Sequence, residues 1–469
     1  TLVNTGDFIY TNGYLGSKGY KCNPTTAVQG STTTTFVEYE EGIYSGYRYY
    51  ETAYYEAENG NYDGFDYDSV VVYPFGYGLS YTDFDMEYDG TPSFDEGTNT
   101  YTFDVKVTNT GDVSGKQVVQ IYVNTPYVEG GVEKAQVVLA GYAKTGTLEA
   151  GASETVEITV NRDYICSYDY KMEGCYILDA GDYHFYLSED AHSWADTDLT
   201  DNSKVWTWSL NEKIVYGEDN ARPSDDVAAV NQLDDVTNWK FTDDAQSGTG
   251  YAVNFSRLDF AGTYPTAPEG DDLIANEKIT EARTKFDTEE VDTYIEDIII
   301  TDSTMTSYTL ADMRGVDYDD PKWEEFIEQF SEDKLIEMYS NGNWQEVADE
   351  DNSVPRTVDL DGPQGLTAQA LGTEECQTYQ SNLMIGATWN TEMAALMGTS
   401  VAYEMMAYGW TGWYGPGNNI HRTAFCGRNT EYFSEDAVLS GTMCASEVSS
   451  ASEKGIICFT KHYAVNNQE

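Results

Sequence analysis

Three rhythms of apolar and polar positions divide the chain. Residues 1–80 are rich in Tyr and Gly and hold no sustained period. They contain a dense aromatic stretch, EGIYSGYRYYE (41–51), and close on VVYPFGYGLSYTDF (71–84). Gly76 and Gly78 between aromatic residues predict a tight backbone turn packed on rings, with Pro74 fixing its entry. From 100 to 190 the pattern switches to alternation at every second residue, in YTFDVKVTNTGD, KQVVQIYVNTP, QVVLAGYAKTGTLEAG, ETVEITVNRDY and GDYHFYLSED. Each run suits a strand of about 5–8 residues, and turn residues such as Asn109-Thr110-Gly111-Asp112 and Glu149-Ala150-Gly151 separate them. Such a series predicts an antiparallel β-sandwich of immunoglobulin or fibronectin type. His184 alternates within one of these strands and reads as a packed or surface histidine.

Residues 200–310 are acidic and mixed, with one strand-like run, TYIEDIII (293–300). The segment is too long for a bare linker and reads as a connection wrapped on its neighbours. From 320 the period becomes helical. Trp323, Phe326, Ile327 and Phe330 fall at i, i+3, i+4 and i+7, one apolar face, and Ser331 then suits the N-cap of a second helix through Met338. A strand-like VPRTVDLDGPQG (354–365) follows, then a helix at 391–408 capped by Asn390 or Thr391. After GWTGWYGPGNN come a helix from Ser434 to Glu453 and the apolar run GIICFTKH (455–462). Strands alternating with helices of this length predict a parallel sheet, most simply the first part of a (β/α) barrel.

Composition sharpens this picture at two points. The chain has 469 residues, 40% of them apolar and 14% aromatic, enough for several cored domains and not a disordered composition. Against 25 Lys and Arg stand 81 Asp and Glu, a formal net charge of −56. That surface repels polyanions, which disfavours nucleic acid, anionic membranes and anionic substrates, and it suits a neutral or cationic partner. No apolar run approaches the ~20 residues of a membrane span. The seven cysteines show no metal-ligand spacing, so no metal or cofactor is expected. Cys166 and Cys175 flank a turn-rich stretch, either bridging a hairpin or remaining small buried thiols. The compartment stays open, with an extracellular or cell-surface setting favoured over the cytoplasm.

In a (β/α) barrel, reactive side chains sit where strands end. Here one strand ends at Asp361, the GWYGPGNN segment leads to Arg428 and Glu431 in CGRNTEYFSED, and IICFT ends at Lys461 and His462. A carboxylate, a guanidinium, an ammonium and an imidazole on one face suit the gripping of vicinal hydroxyls, since the carboxylate accepts O–H bonds while the cations donate. Taken singly, Asp361 before Gly-Pro also reads as a turn residue and Arg428–Glu431 as a structural ion pair. No phosphate loop or nucleophile elbow accompanies them.

The residues DGPQG, GPGNNIHRTAFCGRNTEYFSED and KHYAVNNQE resemble the N-terminal barrel of glycoside hydrolase family 3. EGIYSGYRYYE and YPFGYGLSYTDF resemble the end of that family's α/β-sandwich domain, and the β-rich region resembles its fibronectin type III-like domain. The fold the resemblance implies is multidomain α/β plus all-β: the C-terminal part of an α/β-sandwich domain at 1–84, a fibronectin-like β-sandwich at 85–200, an acidic connection at 201–315, and the first part of a TIM-like barrel at 316–469. This order resembles the circularly permuted β-glucosidases of fibre-degrading anaerobes. The resemblance implies a retaining exo-β-glycosidase acting on terminal β-D-glucosyl residues of plant-derived oligosaccharides. A β-xyloside is the alternative substrate, and a non-catalytic carbohydrate-binding or assembly protein the alternative function. Asp361, Arg428, Lys461 and His462 would hold the sugar, supported by Glu431, Asn466 and Glu469. The N-acetylglucosaminidase branch carries Lys-His-Phe-Pro-Gly-His-Gly where this chain has Ala464-Val465-Asn466 after its Lys-His-Tyr. The family's nucleophilic aspartate and its acid/base carboxylate are expected outside residues 1–469, so the chain reads as a fragment. Its partners would be the glycoside, the rest of its own polypeptide, or further copies of itself.

Overall fold

The computed structural model describes residues 1–3, 20–22, 34–36, 41–231, 255–264, 308–367, 376–422, 426–462 and 466. The strand expected at 293–300 lies outside them. The aromatic stretch opens helix α1 (Tyr47–Glu58), whose buried side includes Tyr47, Tyr49, Tyr50, Glu51 and Ala53. Tyr44, Tyr49 and Tyr50 form a core with Phe255 and Phe260, so part of the acidic connection returns to cover this helix. Beyond the short strand Val71–Tyr73, Gly76 has φ +85°, and a Cβ there would meet Gln120 Oε1 at 2.0 Å. The tight turn therefore requires glycine.

The alternating region folds as expected into two antiparallel sheets. One contains β1 (Phe84–Tyr88), β2 (Thr100–Asn109) and β5 (Ser153–Asn161), with β2 central and also pairing Ser93–Asp95. The other runs β7 (Val205–Leu210), β6 (Gly181–Ser188), β3 (Val118–Asn124), β4 (Val138–Lys144). Phe103, Val105, Ile121, Val123, Ile158 and Phe185 fill the space between them. Strand β3 departs from alternation, with Val119 to Val123 buried throughout, because its second face is covered too: the Tyr122 ring meets Tyr47 edge-on at 6.0 Å. The sandwich continues past residue 200, since β7 pairs along β6 and Ile214–Tyr216 pairs with Cys175–Leu178. Cys166 and Cys175 are both free thiols, as the simpler of the two sequence readings had it. Burial pushes the Cys166 thiol up to about 12.

The last region opens with α2 (Lys322–Ile327) and α3 (Glu332–Asn341). Phe326 and Phe330 are buried, whereas Ile327 is 53% exposed, so the apolar face is narrower than its spacing suggests. Ser331 caps α3 by accepting from the Lys334 N–H. Next come β8 (Asp359–Asp361), α4 (Asn382–Gly386), α5 (Thr391–Tyr408), β9 (Gly412–Tyr414), α6 (Ala437–Ser452) and β10 (Ile457–Cys458). Asn390 caps α5, and Asp436 caps α6 by accepting from the Val438 and Leu439 N–H groups. Helix α6 therefore begins at Ala437 rather than Ser434, whose hydroxyl accepts instead from the Asp436 N–H. The three strands form a parallel sheet in the order β8–β9–β10, much shorter than the twelve-residue stretch 354–365 suggested. Leu360 and Trp413 pack into the core beneath α5 and α6. Gly398 lets those helices touch, since a Cβ there would lie 2.1 Å from the Glu447 carbonyl.

One phenol joins the three regions. Tyr47 Oη accepts from the Leu139 N–H of the sandwich at 2.8 Å and donates to Asp436 Oδ2 at the cap of α6 at 2.9 Å. The three regions share one apolar core, which includes Tyr47, Phe75, Leu139, Trp389 and Trp413.

Candidate functional site

Strand alternation places Asp361 on the sheet face opposite Leu360, away from the helices. The chain then leaves β8 through a turn that tolerates no side chain: Gly362 has φ +140°, and a Cβ would sit 1.9 Å from the Gly365 carbonyl. Thr367 closes the turn, donating its N–H and its hydroxyl to the Asp361 carbonyl at 2.7 and 3.0 Å. Trp413 Nε1 donates to the Gly362 carbonyl at 2.9 Å, fixing the turn against β9. After β10, the Lys461 N–H donates to the Pro416 carbonyl at 3.1 Å, while the Asn418 N–H donates back to the Lys461 carbonyl at 2.6 Å. The turn after Asp361 is thus held by β9, and the backbone at 461 by the segment that follows β9.

Their side chains meet. Lys461 Nζ pairs with Asp361 Oδ1 and lies 3.9 Å from Glu431 Oε2. Glu431 accepts two bonds from Arg428, Nε to Oε1 at 3.2 Å and Nη2 to Oε2 at 2.8 Å. Four charged groups, from the ends of β8 and β10 and from the turn at 428–431, therefore alternate in sign. Lys461 is the enclosed member at 14% exposed, whereas Asp361 is 39% exposed. Among the described residues Asp361 Oδ2 has no protein partner, so one carboxylate oxygen is held while the other can accept a hydroxyl.

His462 borders this group. Its Nδ1 lies 3.0 Å from the Tyr432 hydroxyl, and Asn466 Nδ2 donates to the same hydroxyl at 2.8 Å. Burial lowers the His462 pKa below its ordinary value, and the charges of Arg428 and Lys461 lower it further, so the ring is neutral. The turn that carries Arg428 and Glu431 is clipped by His421, whose Nε2–H donates to the carbonyls of Asn429 and Tyr432 at 2.8 and 3.0 Å.

Asp361, Arg428, Glu431, Lys461, His462 and Asn466 are thus brought to one place, and Glu469 lies outside the described residues. Tyr432 and His421 were not singled out in the sequence. Tyr432 follows Glu431 directly, but nothing in the local pattern shows that its ring turns inward toward His462. Among the described residues no group of His, Cys, Asp and Glu has metal-binding geometry, and no helix is long and apolar enough to cross a membrane.

Comparison with known proteins identifies two domains in the chain. Residues 117–191 match the fibronectin type III-like domain and residues 325–468 the glycosyl hydrolase family 3 N terminal domain. The chain is 29% identical to beta-glucosidase A of Butyrivibrio fibrisolvens, aligned over 92% of this chain and 50% of that one. It is 30% identical to a beta-glucosidase of Ruminococcus albus, over 92% of this chain and 40% of that one. The chain therefore spans about half the length, or less, of these curated relatives. A beta-glucosidase of Paenibacillus barengoltzii shares the fold, with a TM-score of 0.61 at 24% identity, over 96% of this chain and 46% of that structure. The fibronectin-like sandwich, the parallel sheet and these matches together make the chain similar to the beta-glucosidases of glycoside hydrolase family 3, whose N-terminal domain residues 325–468 match.

Proposed function

We propose that the strand-end cluster binds the terminal, non-reducing β-D-glucosyl residue of a β-linked oligosaccharide, within a retaining exo-β-glucosidase. The observation that carries this reading is the Asp361 carboxylate, held at Oδ1 by Lys461 and open at Oδ2, at the end of a barrel strand. A sugar offers adjacent hydroxyls. Asp361 accepts from them, Lys461 and Arg428 donate to them, and neutral His462 donates without adding charge. Glu431 holds Arg428 and offsets the charge of Lys461, so the cations keep their geometry when the sugar is absent.

Retaining hydrolysis uses a nucleophilic carboxylate and an acid/base carboxylate about 5 Å apart. Neither role is assigned to a residue of this chain. Its part is to seat the ring so that the anomeric carbon faces that pair, which converts binding energy into correct placement. The strongly acidic surface suits a neutral saccharide.

Hydrolysis of aryl β-D-glucosides and β-D-xylosides by the native protein, with trapping by a 2-deoxy-2-fluoroglucoside, tests the reading. Turnover of the glucoside and a covalent adduct are expected. A dominant xyloside rate would move the substrate to β-xylosides. Glucose binding without turnover or adduct would leave a carbohydrate-binding protein.

A further inference from the structure

We propose that Tyr432 is a positioning residue that fixes the tautomer of His462, so that the proton sits on Nε2 and is presented to the sugar; this rests on the sugar-binding reading above. The hydroxyl of Tyr432 has two partners among the described residues, Asn466 Nδ2 at 2.8 Å and His462 Nδ1 at 3.0 Å. The Asn466 amide nitrogen is only a donor, so the phenol accepts from it. The phenol's own proton then has one acceptor, His462 Nδ1. Asn466 Nδ2 also lies 3.4 Å from that Nδ1, a second donor facing the same nitrogen. An Nδ1 facing two donors carries the lone pair, which places the ring proton on Nε2.

The surroundings keep this arrangement in place. Tyr432 is fully buried and its ring meets His462 edge-on, at 6.1 Å and 89°. Its backbone carbonyl is held by His421 Nε2 at 3.0 Å. Among the described residues His462 Nε2 has no protein partner, so its proton is available to a ligand oxygen. The depressed basicity of His462 keeps the ring to one proton at neutral pH.

The test reads the tautomer and the sugar separately. Residues 1–469 contain four histidines, and in nitrogen-15 spectra of the histidine-labelled native protein His462 is assigned by the signal lost in His462→Gln. We expect a protonated Nε2 and an unprotonated Nδ1. Tyr432→Phe keeps the ring packing and removes the hydroxyl, and it should move His462 toward a tautomer mixture. In Asn466→Asp the new carboxylate would draw the phenol proton, and the His462 proton should move to Nδ1. D-glucose affinity should fall about three- to tenfold in Tyr432→Phe, the scale of one neutral hydrogen bond. If both variants leave the nitrogen pattern as in the parent, or the parent carries its proton on Nδ1, the inference is overturned. If the pattern responds while D-glucose perturbs no His462 signal, the tautomer control stands and the sugar reading fails.

Discussion

Lys461, at the end of β10, reaches across the central strand to pair with Asp361, at the end of β8, and approaches Glu431 at 3.9 Å. One ammonium therefore ties the two outer strands of the sheet and couples them to the Arg428 turn. Lys461→Ala leaves Asp361 without its cation and frees Glu431 to claim Arg428 alone. D-glucose affinity should drop about tenfold or more, measured by calorimetry. Lys461→Arg should restore it only in part, since a planar fork does not replace a compact ammonium.

The Gly362 turn sets the backbone from which Asp361 projects. Gly362→Ala meets both a positive φ and the Gly365 carbonyl, and it should destabilise the protein by at least about 2 kcal/mol. Urea unfolding measures the loss. The surviving folded fraction should also bind D-glucose weakly.

Tyr47 predicts a stability effect far from the sugar. Tyr47→Phe leaves the Leu139 N–H and the Asp436 carboxylate short of a buried partner, and it should cost about 1–3 kcal/mol in urea unfolding. Arg48, 3.5 Å from Asp436 Oδ2, keeps the carboxylate from being wholly uncompensated, which argues against a larger loss.

A pH dependence follows from His192, whose Nδ1 lies 2.8 Å from Glu51 Oε2 on α1. Burial works to lower the His192 pKa, but the hydrogen bond and charge of Glu51, then the charges of Asp190 and Asp196, outweigh it and raise the pKa. Glu51 is fully buried and is raised by that burial, despite donors from His192, Tyr67 and Trp194. Both groups hold a proton more tightly in the folded protein, so stability falls as pH rises. The His192 contribution is complete below its unfolded pKa of about 6.5 and is lost as pH climbs through its higher folded value. The stability gap between the parent and His192→Gln should therefore narrow from pH 6 to pH 8. A gap that widens would contradict the assignment.

How much of this could be read in the sequence depends on the range of the interaction. The Ser331 and Asn390 caps and the alternation of β2 and β5 are local, and their residue types announced them. The pattern over 354–365 locates the strand at 359–361 but overstates its length, because extended backbone outside a ladder has the same apolar pattern as a strand. The exposure of Ile327 follows from what α2 packs against, which spacing along one helix does not show. Asp361, Lys461 and His462 were visible as strand-end residues. The sharing of Lys461 between two carboxylates and the Tyr432–His462–Asn466 relay depend on segments up to 100 residues apart meeting in space.

The central claim is that Asp361 grips the sugar rather than merely turning the chain. The most direct measurement is kcat/KM for an aryl β-D-glucoside with the native protein and its Asp361→Ala variant, at matched folded fraction. Losing charged hydrogen bonds to hydroxyls should lower kcat/KM on the order of a hundredfold or more, with little change in the unfolding midpoint. A variant with near-parental kcat/KM would show that Asp361 only shapes the turn and that the cluster does not hold the substrate.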